Sequence, residues 1–178
     1  MIFRECSIPG AWIVTPEVRE DDRGYFVRTW CRREFQDRGL PGWFVQCSMS
    51  YTRRRGTLRG LHYQGAPYEE AKLVRCTHGA IYDVIVDLRR ESPTYLRFLS
   101  VELTAENCAA LFVPAGCAHG FQTLVDDSQV FYQMTAFYEP TASRGVRWND
   151  PLLGIPWPLT DPILHERDAN YPDFEPEP

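Results

Sequence analysis

Short apolar runs of strand length, each followed by a polar turn, recur along most of the chain. Residues 81–88 combine β-branched content with the length of a strand that buries one face. Residues 99–103 alternate, residues 110–113 form a brief apolar run, and residues 130–136 continue the series. Turn-forming clusters at 77–79, 91–93, 114–116 and 125–128 stand between them. Many short strands at close spacing predict an all-β sandwich or closed barrel rather than a parallel α/β sheet. One helix is predicted, over residues 31–38, with Gly39 in the position a C-cap prefers. From about Asp150 the chain is rich in proline (Pro151, Pro156, Pro158, Pro162). Proline cannot donate to a central ladder, so an irregular arm wrapped around the barrel is expected.

A chain of 178 residues that is 44% hydrophobic can bury one sizeable core and not two, so residues 1–178 are read as a single domain. The net charge of -5 argues against a nucleic-acid partner, which calls for surplus Lys and Arg. Arg53, Arg54, Arg55 and Arg59 nevertheless concentrate positive charge beside a histidine; a solvated loop and an anion site both fit such a run. Cys6, Cys31, Cys47, Cys76, Cys108 and Cys117 show no C-x-x-C pair and no zinc spacing, and are expected as reduced, mostly buried thiols. The segment 1–10 lacks the pattern of a signal peptide, and no apolar run approaches the ~20 residues of a membrane helix. A cytoplasmic protein with no membrane partner is the expectation.

Two segments stand out chemically. Residues 58–64 place Arg59, Gly60 and His62 together, with Lys72 ten residues beyond the histidine. Residues 114–121 put His119 in what reads as a Gly-flanked turn, and Tyr132 follows within a predicted strand. A lone histidine is more often a hydrogen-bonded core or surface group than a catalyst, a strand tyrosine is by default a core residue, and a lysine is by default on the surface.

These motifs, taken in order, resemble the dTDP-4-dehydrorhamnose 3,5-epimerase family over nearly the whole chain. The matching segments are 22–26, 46–50, 58–64, 72–75, 82–89, 92–94, 114–121, 138–140, 148–151, 155–158 and 167–168. The resemblance implies a cupin-type jelly-roll β-barrel with short helices. It also implies a homodimer in which a strand of one subunit joins the sheet of the other, so that Arg23 and Phe26 reach the partner's site. The substrate implied is a nucleotide-diphospho-4-keto-6-deoxysugar, in the first instance dTDP-4-dehydro-6-deoxy-D-glucose converted to dTDP-4-dehydro-L-rhamnose. No metal and no redox cofactor is called for, because a ketone at C4 already acidifies the hydrogens at C3 and C5.

By the same resemblance His62 is the base, an imidazole with a reference pKa of ~6.5 being a sensible acceptor at neutral pH. Asp168 would orient it and stabilise its charged form. Tyr132 would return a proton from the opposite face, and Lys72 would hold the enolate oxygen. Arg59 and Arg23 would bind the diphosphate as planar forks, with Arg167 beside Asp168 also in contact with substrate. Gln46 and His119 would add neutral hydrogen bonds, and Tyr138 would stack on the nucleobase. Three positions depart from the family: Arg28 and Ser143 stand where glutamates are usual, and Ser48 where asparagine is usual. All three belong to the nucleotide-sugar contacts. The donors of Arg28 suit the acceptor edges of cytosine or guanine, which brings CDP- or GDP-linked sugars into view beside dTDP. Inversion at one carbon only is the other alternative. A metal-dependent cupin lacks its His-x-His pair here, and a catalytically silent sugar-binding cupin would not be expected to keep His62, Tyr132, Lys72 and Asp168 together.

Overall fold

A computed structural model describes residues 1–176. Two antiparallel sheets lie face to face. The larger has six strands in the order β1 (Ile2–Glu5), β2 (Trp12–Thr15), β10 (Ala110–Val113), β7 (Lys72–His78), β12 (Ser128–Met134) and β5 (Gln46–Thr52). The smaller has five: β13 (Ser143–Gly145), β6 (Leu58–Gln64), β11 (Cys117–Thr123), β8 (Ala80–Asp87) and β9 (Phe98–Thr104). A separate hairpin, β3 (Arg19–Asp21) and β4 (Gly24–Phe26), pairs with neither sheet and is exposed throughout. The helices are short, α1 (Arg32–Gln36) and α2 (Glu166–Ala169). Among the described residues no helix is long and apolar enough to cross a membrane.

Apolar side chains form three layers. Between the sheets, Val74, Cys76, Leu111, Val113 and Val130 meet Ile81, Ile85, Leu103 and Phe121. Outside the larger sheet, Leu73, Ala110 and Phe112 pack against Phe35 of α1, which Phe3 and Phe44 contact edge-on. Outside the smaller sheet, Leu61, Val84, Val86 and Ala118 are covered by Leu153, Ile155, Trp157 and Phe174 of the C-terminal arm. Strand β8 is therefore buried on both faces, and its near-continuous apolar sequence has that cause, not the single buried face expected of it.

Other sequence expectations are corrected in detail. The helix over 31–38 is only five residues long, because Cys31 is its extended N-cap with no side-chain cap bond and Asp37 already ends it. His119 lies within β11, fully inside the ladder, and the turn at 114–116 ends before it. Of the six thiols, Cys76 and Cys117 are buried, Cys47 is exposed and the others are intermediate. Burial pushes Cys76 up to about 11 and Cys117 up to about 12, so both stay protonated at neutral pH. The arm is mostly irregular, as its prolines require. It is nonetheless tied down: Trp157 Nε1 donates to Trp148 O (2.7 Å), Gln122 Nε2 donates to Leu159 O (2.9 Å), and Ile163 bridges to Thr57 in parallel.

Two glycines allow the central strands of the smaller sheet to approach. A Cβ on Gly60, whose φ is +121°, would lie 2.6 Å from Gly120 Cα, and one on Gly120 would lie 2.8 Å from Arg59 O. The β6–β11 register shifts at this point, and His62 and His119 face each other just beyond it.

The end of β8 is fixed by a buried carboxylate. Asp87 accepts from Arg89 Nε and Nη2 (both 2.8 Å), Ser92 Oγ (2.5 Å) and Thr94 Oγ1 (2.7 Å), while Arg89 Nη2 also donates to Pro9 O (2.9 Å). Burial alone would raise the Asp87 pKa, but the bonds from Arg89, Ser92 and Thr94 outweigh it and hold it at about 2. A pKa depressed on folding contributes stability above the unfolded value of ~3.9 and loses it as pH falls toward the folded value. Asp87→Asn is expected to be about 2 kcal/mol less stable at pH 7, a Tm lower by roughly 4–8 °C, with the gap closing between about pH 4 and 2. Thermal melts across that range check it; a gap that persists unchanged at pH 2 means that the charge is not its source.

Candidate active site

The open end of the barrel holds a cleft of about 580 Å³. Strands supply Ser50, Arg59, His62, Lys72, His119, Phe121 and Tyr132 to its wall, and the arm supplies Ile163, Leu164, His165, Arg167 and Asp168. The residues meet because antiparallel neighbours in the two sheets bring positions far apart in sequence into register. His62 on β6 is opposite His119 on β11, and Tyr132 on β12 is opposite Ser48 on β5.

His62 and Asp168 form the tightest feature. His62 Nε2 lies 2.8 Å from Asp168 Oδ1, and the other carboxylate oxygen accepts from Gly60 N–H at 3.1 Å. The histidine side chain is one-third exposed (33%), whereas Asp168 is 4% exposed. Burial pushes the Asp168 pKa up, but hydrogen bonds from His62, Gly60 and Arg167 hold it below the usual carboxylate range. An ionised carboxylate only accepts, so Nε2 carries the proton that it donates to Asp168, and the lone pair is left on Nδ1. Arg167 Nη2 also lies 3.1 Å from His62 Nε2. Two donors cannot bond each other, so this is an approach between donors, and the arginine's bond is the one from Nε to Asp168 Oδ1 (3.3 Å).

Tyr132 is mostly enclosed, with its hydroxyl 2.8 Å from Ser50 Oγ. Burial above all, aided by the negative Asp83 and opposed by the Ser50 bond, pushes its pKa up to about 12, so the phenol keeps its proton at neutral pH. His119 Nε2 lies 2.8 Å from Oδ1 of Asp83, a second histidine–aspartate pair buried under the cleft. Oδ2 of Asp83 is buried without a hydrogen-bond partner among the described residues. Lys72 Nζ is 3.1 Å from Glu70 Oε1.

Two smaller clefts of about 200 and 350 Å³ adjoin the first, and Glu70, Lys72 and Tyr138 line both. Ser143 and Arg167 belong to one, Gln46 and Ser48 to the other. Gln46 Oε1 accepts from Tyr138 N–H at 3.1 Å. Arg59 is held by Thr52 Oγ1 (3.0 Å) and Tyr51 O (3.3 Å). Arg53, Arg54 and Arg55 are exposed in the β5–β6 loop, Arg55 bonding Leu124 O.

Three residues named from sequence lie elsewhere in the same subunit. Arg23, 89% exposed, pairs with Asp21 at the tip of the hairpin. Phe26 and Arg28 line a depression of about 310 Å³ with Met1, Glu17 and Glu34, and Arg28 pairs with Glu34 at 3.4 Å. Sequence reasoning overlooked Ser50, Glu70, Asp83 and Tyr171, whose ring meets His62 edge-on at 6.3 Å. A charged residue amid the apolar run of β8 was the available signal for Asp83. Among the described residues no three His, Cys, Asp or Glu side chains gather closely enough to hold a metal ion.

A family model described as dTDP-4-dehydrorhamnose 3,5-epimerase matches residues 5–176. A protein of that name from Sinorhizobium fredii is 45% identical, with 98% of this chain and 90% of the relative covered. The crystal structure of the Bacillus anthracis enzyme of that name, with TDP and PPi bound, superposes with a TM-score of 0.95 at 41% identity, covering 97% of this chain and 99% of that one. ChmJ of Streptomyces bikiniensis, a 3'-monoepimerase in complex with dTDP-quinovose, superposes with a TM-score of 0.88 at 36% identity, covering 94% and 85%. In its cupin-type jelly roll, and in sequence over nearly its full length, this chain belongs to the dTDP-4-dehydrorhamnose 3,5-epimerase family.

Proposed function

We propose that the protein, acting as one unit over residues 1–178, inverts C3 and C5 of a dTDP-linked 4-keto-6-deoxyhexose, converting dTDP-4-dehydro-6-deoxy-D-glucose to dTDP-4-dehydro-L-rhamnose. The observation that carries this reading is the His62–Asp168 pair in the wall of a cleft that Tyr132 and Lys72 share. Nδ1 of His62 takes the proton from the carbon beside the ketone, and the C–H electrons pass to the ketone oxygen as an enolate. The Lys72 ammonium stabilises that oxygen. The enolate collapses, the carbon takes a proton from the Tyr132 phenol on the other face, and the configuration inverts. Solvent then restores the proton on Tyr132 and removes the one on His62.

Arg59 and Arg167 at the cleft take the diphosphate, and Tyr138, 55% exposed beside the smaller clefts, offers its ring to the base. Arg23 and Phe26 enter the cleft of a second copy; their exposure and the freedom of the β3–β4 hairpin from both sheets support a homodimer built this way. Arg28 is engaged by Glu34, which favours its turning away from the base and leaves dTDP ahead of CDP and GDP. The monoepimerase ChmJ shares the fold, which makes inversion at one carbon the second reading.

In heavy water the enzyme is expected to place deuterium at both C3 and C5 of the 4-keto sugar, read by proton NMR; label at C3 alone would assign it as a monoepimerase. His62→Ala should lower exchange by about 10²–10⁴. Tyr132→Phe should lose inversion while still exchanging at one face, and equal loss of both would remove Tyr132 from the acid role. Titration at fixed ionic strength should find dTDP bound at least tenfold more tightly than CDP or GDP, about 1.4 kcal/mol; tighter CDP or GDP binding points instead to an altered base.

A further inference from the structure

Of the 19 Lys and Arg residues in the chain, Lys72 alone is lysine. The ammonium of a lysine is a compact charge with three donors on a four-carbon stem, where arginine presents a wide planar fork. Such a stem is mobile unless something holds its end. Here Glu70 does: Oε1 lies 3.1 Å from Nζ, and the two side chains are 11% and 13% exposed. Glu70 lines both smaller clefts but not the reacting cleft, whereas Lys72 lines all three. The carboxylate thus grips the ammonium from the side and leaves donors for the cleft. The loop that carries Glu70 is itself anchored. Gln64 Nε2 donates to Tyr68 O (2.9 Å) and Phe137 O (3.1 Å), and Ala71 N–H donates to Thr135 Oγ1 (2.9 Å).

We infer that Glu70 is a positioning residue of the reaction, fixing the Lys72 ammonium where the ketone oxygen gathers charge. The inference rests on the epimerase reading above. It concerns aim, so it touches the step in which the enolate forms more than the binding of the nucleotide, for which Arg59, Arg167 and Tyr138 suffice.

Two measurements test it. Reductive methylation with formaldehyde and borohydride marks amines, and in this chain only Lys72 and the terminal amine qualify, so peptide mapping by mass spectrometry reads Lys72 alone. Lys72 should be methylated at least about threefold faster in Glu70→Ala than in the native enzyme, because the ion pair shields it. Second, Glu70→Ala should lower kcat about tenfold with KM within about twofold, while Glu70→Gln, which keeps an acceptor at the same place, should recover most of kcat. Equal methylation in native protein and Glu70→Ala overturns the tether. A rise in KM with kcat unchanged makes Glu70 a binding residue instead, and a Gln variant as slow as the Ala variant assigns the effect to charge and overturns the role in aim. A native enzyme that inverts no such sugar overturns the epimerase reading and the catalytic role with it, and the methylation comparison still decides whether the tether exists.

Discussion

The bond between His62 and Asp168 joins residues 106 apart in sequence, and the rest of the site is arranged around it. A buried carboxylate is costly unless it is paired and hydrogen-bonded. Asp168 meets that demand with His62, with the N–H of Gly60 from the same strand, and with its neighbour Arg167. Each partner does a second thing. His62 is left with its lone pair on Nδ1, the Gly60 segment is held where β6 passes closest to β11, and Arg167 is set at the mouth of the cleft.

The opposing face of the cleft has a different character. Tyr132 sits where burial and the nearby Asp83 favour the neutral phenol, so it keeps its proton in the cleft it shares with His62.

Much of this was legible in the sequence. The all-β class followed from strand-length apolar runs and turn punctuation, and residues 110–113 coincide with β10. His62, Lys72, Tyr132 and Asp168 were named from motif order, and the fold brings all four to one cleft. What was not legible depends on the third dimension. Periodicity along β8 cannot say that an arm from beyond residue 150 covers its outer face. The local sequence around His119 looks like a turn because of its glycines, yet Gly120 is there to let two strands approach. Glu70 reads as a surface acid until its contact with Lys72 is seen, and Asp83 discloses its purpose only once β8 and β11 are paired.

The C-terminal arm covers Leu61, Val84, Val86 and Ala118 with one stretch of its length and delivers Asp168 with another. Peeling it away would wet an apolar sheet face and strip His62 of its carboxylate partner in the same event. On the epimerase reading proposed above, loosening of the outer layer and loss of turnover become one event, so activity itself gauges whether the arm is in place.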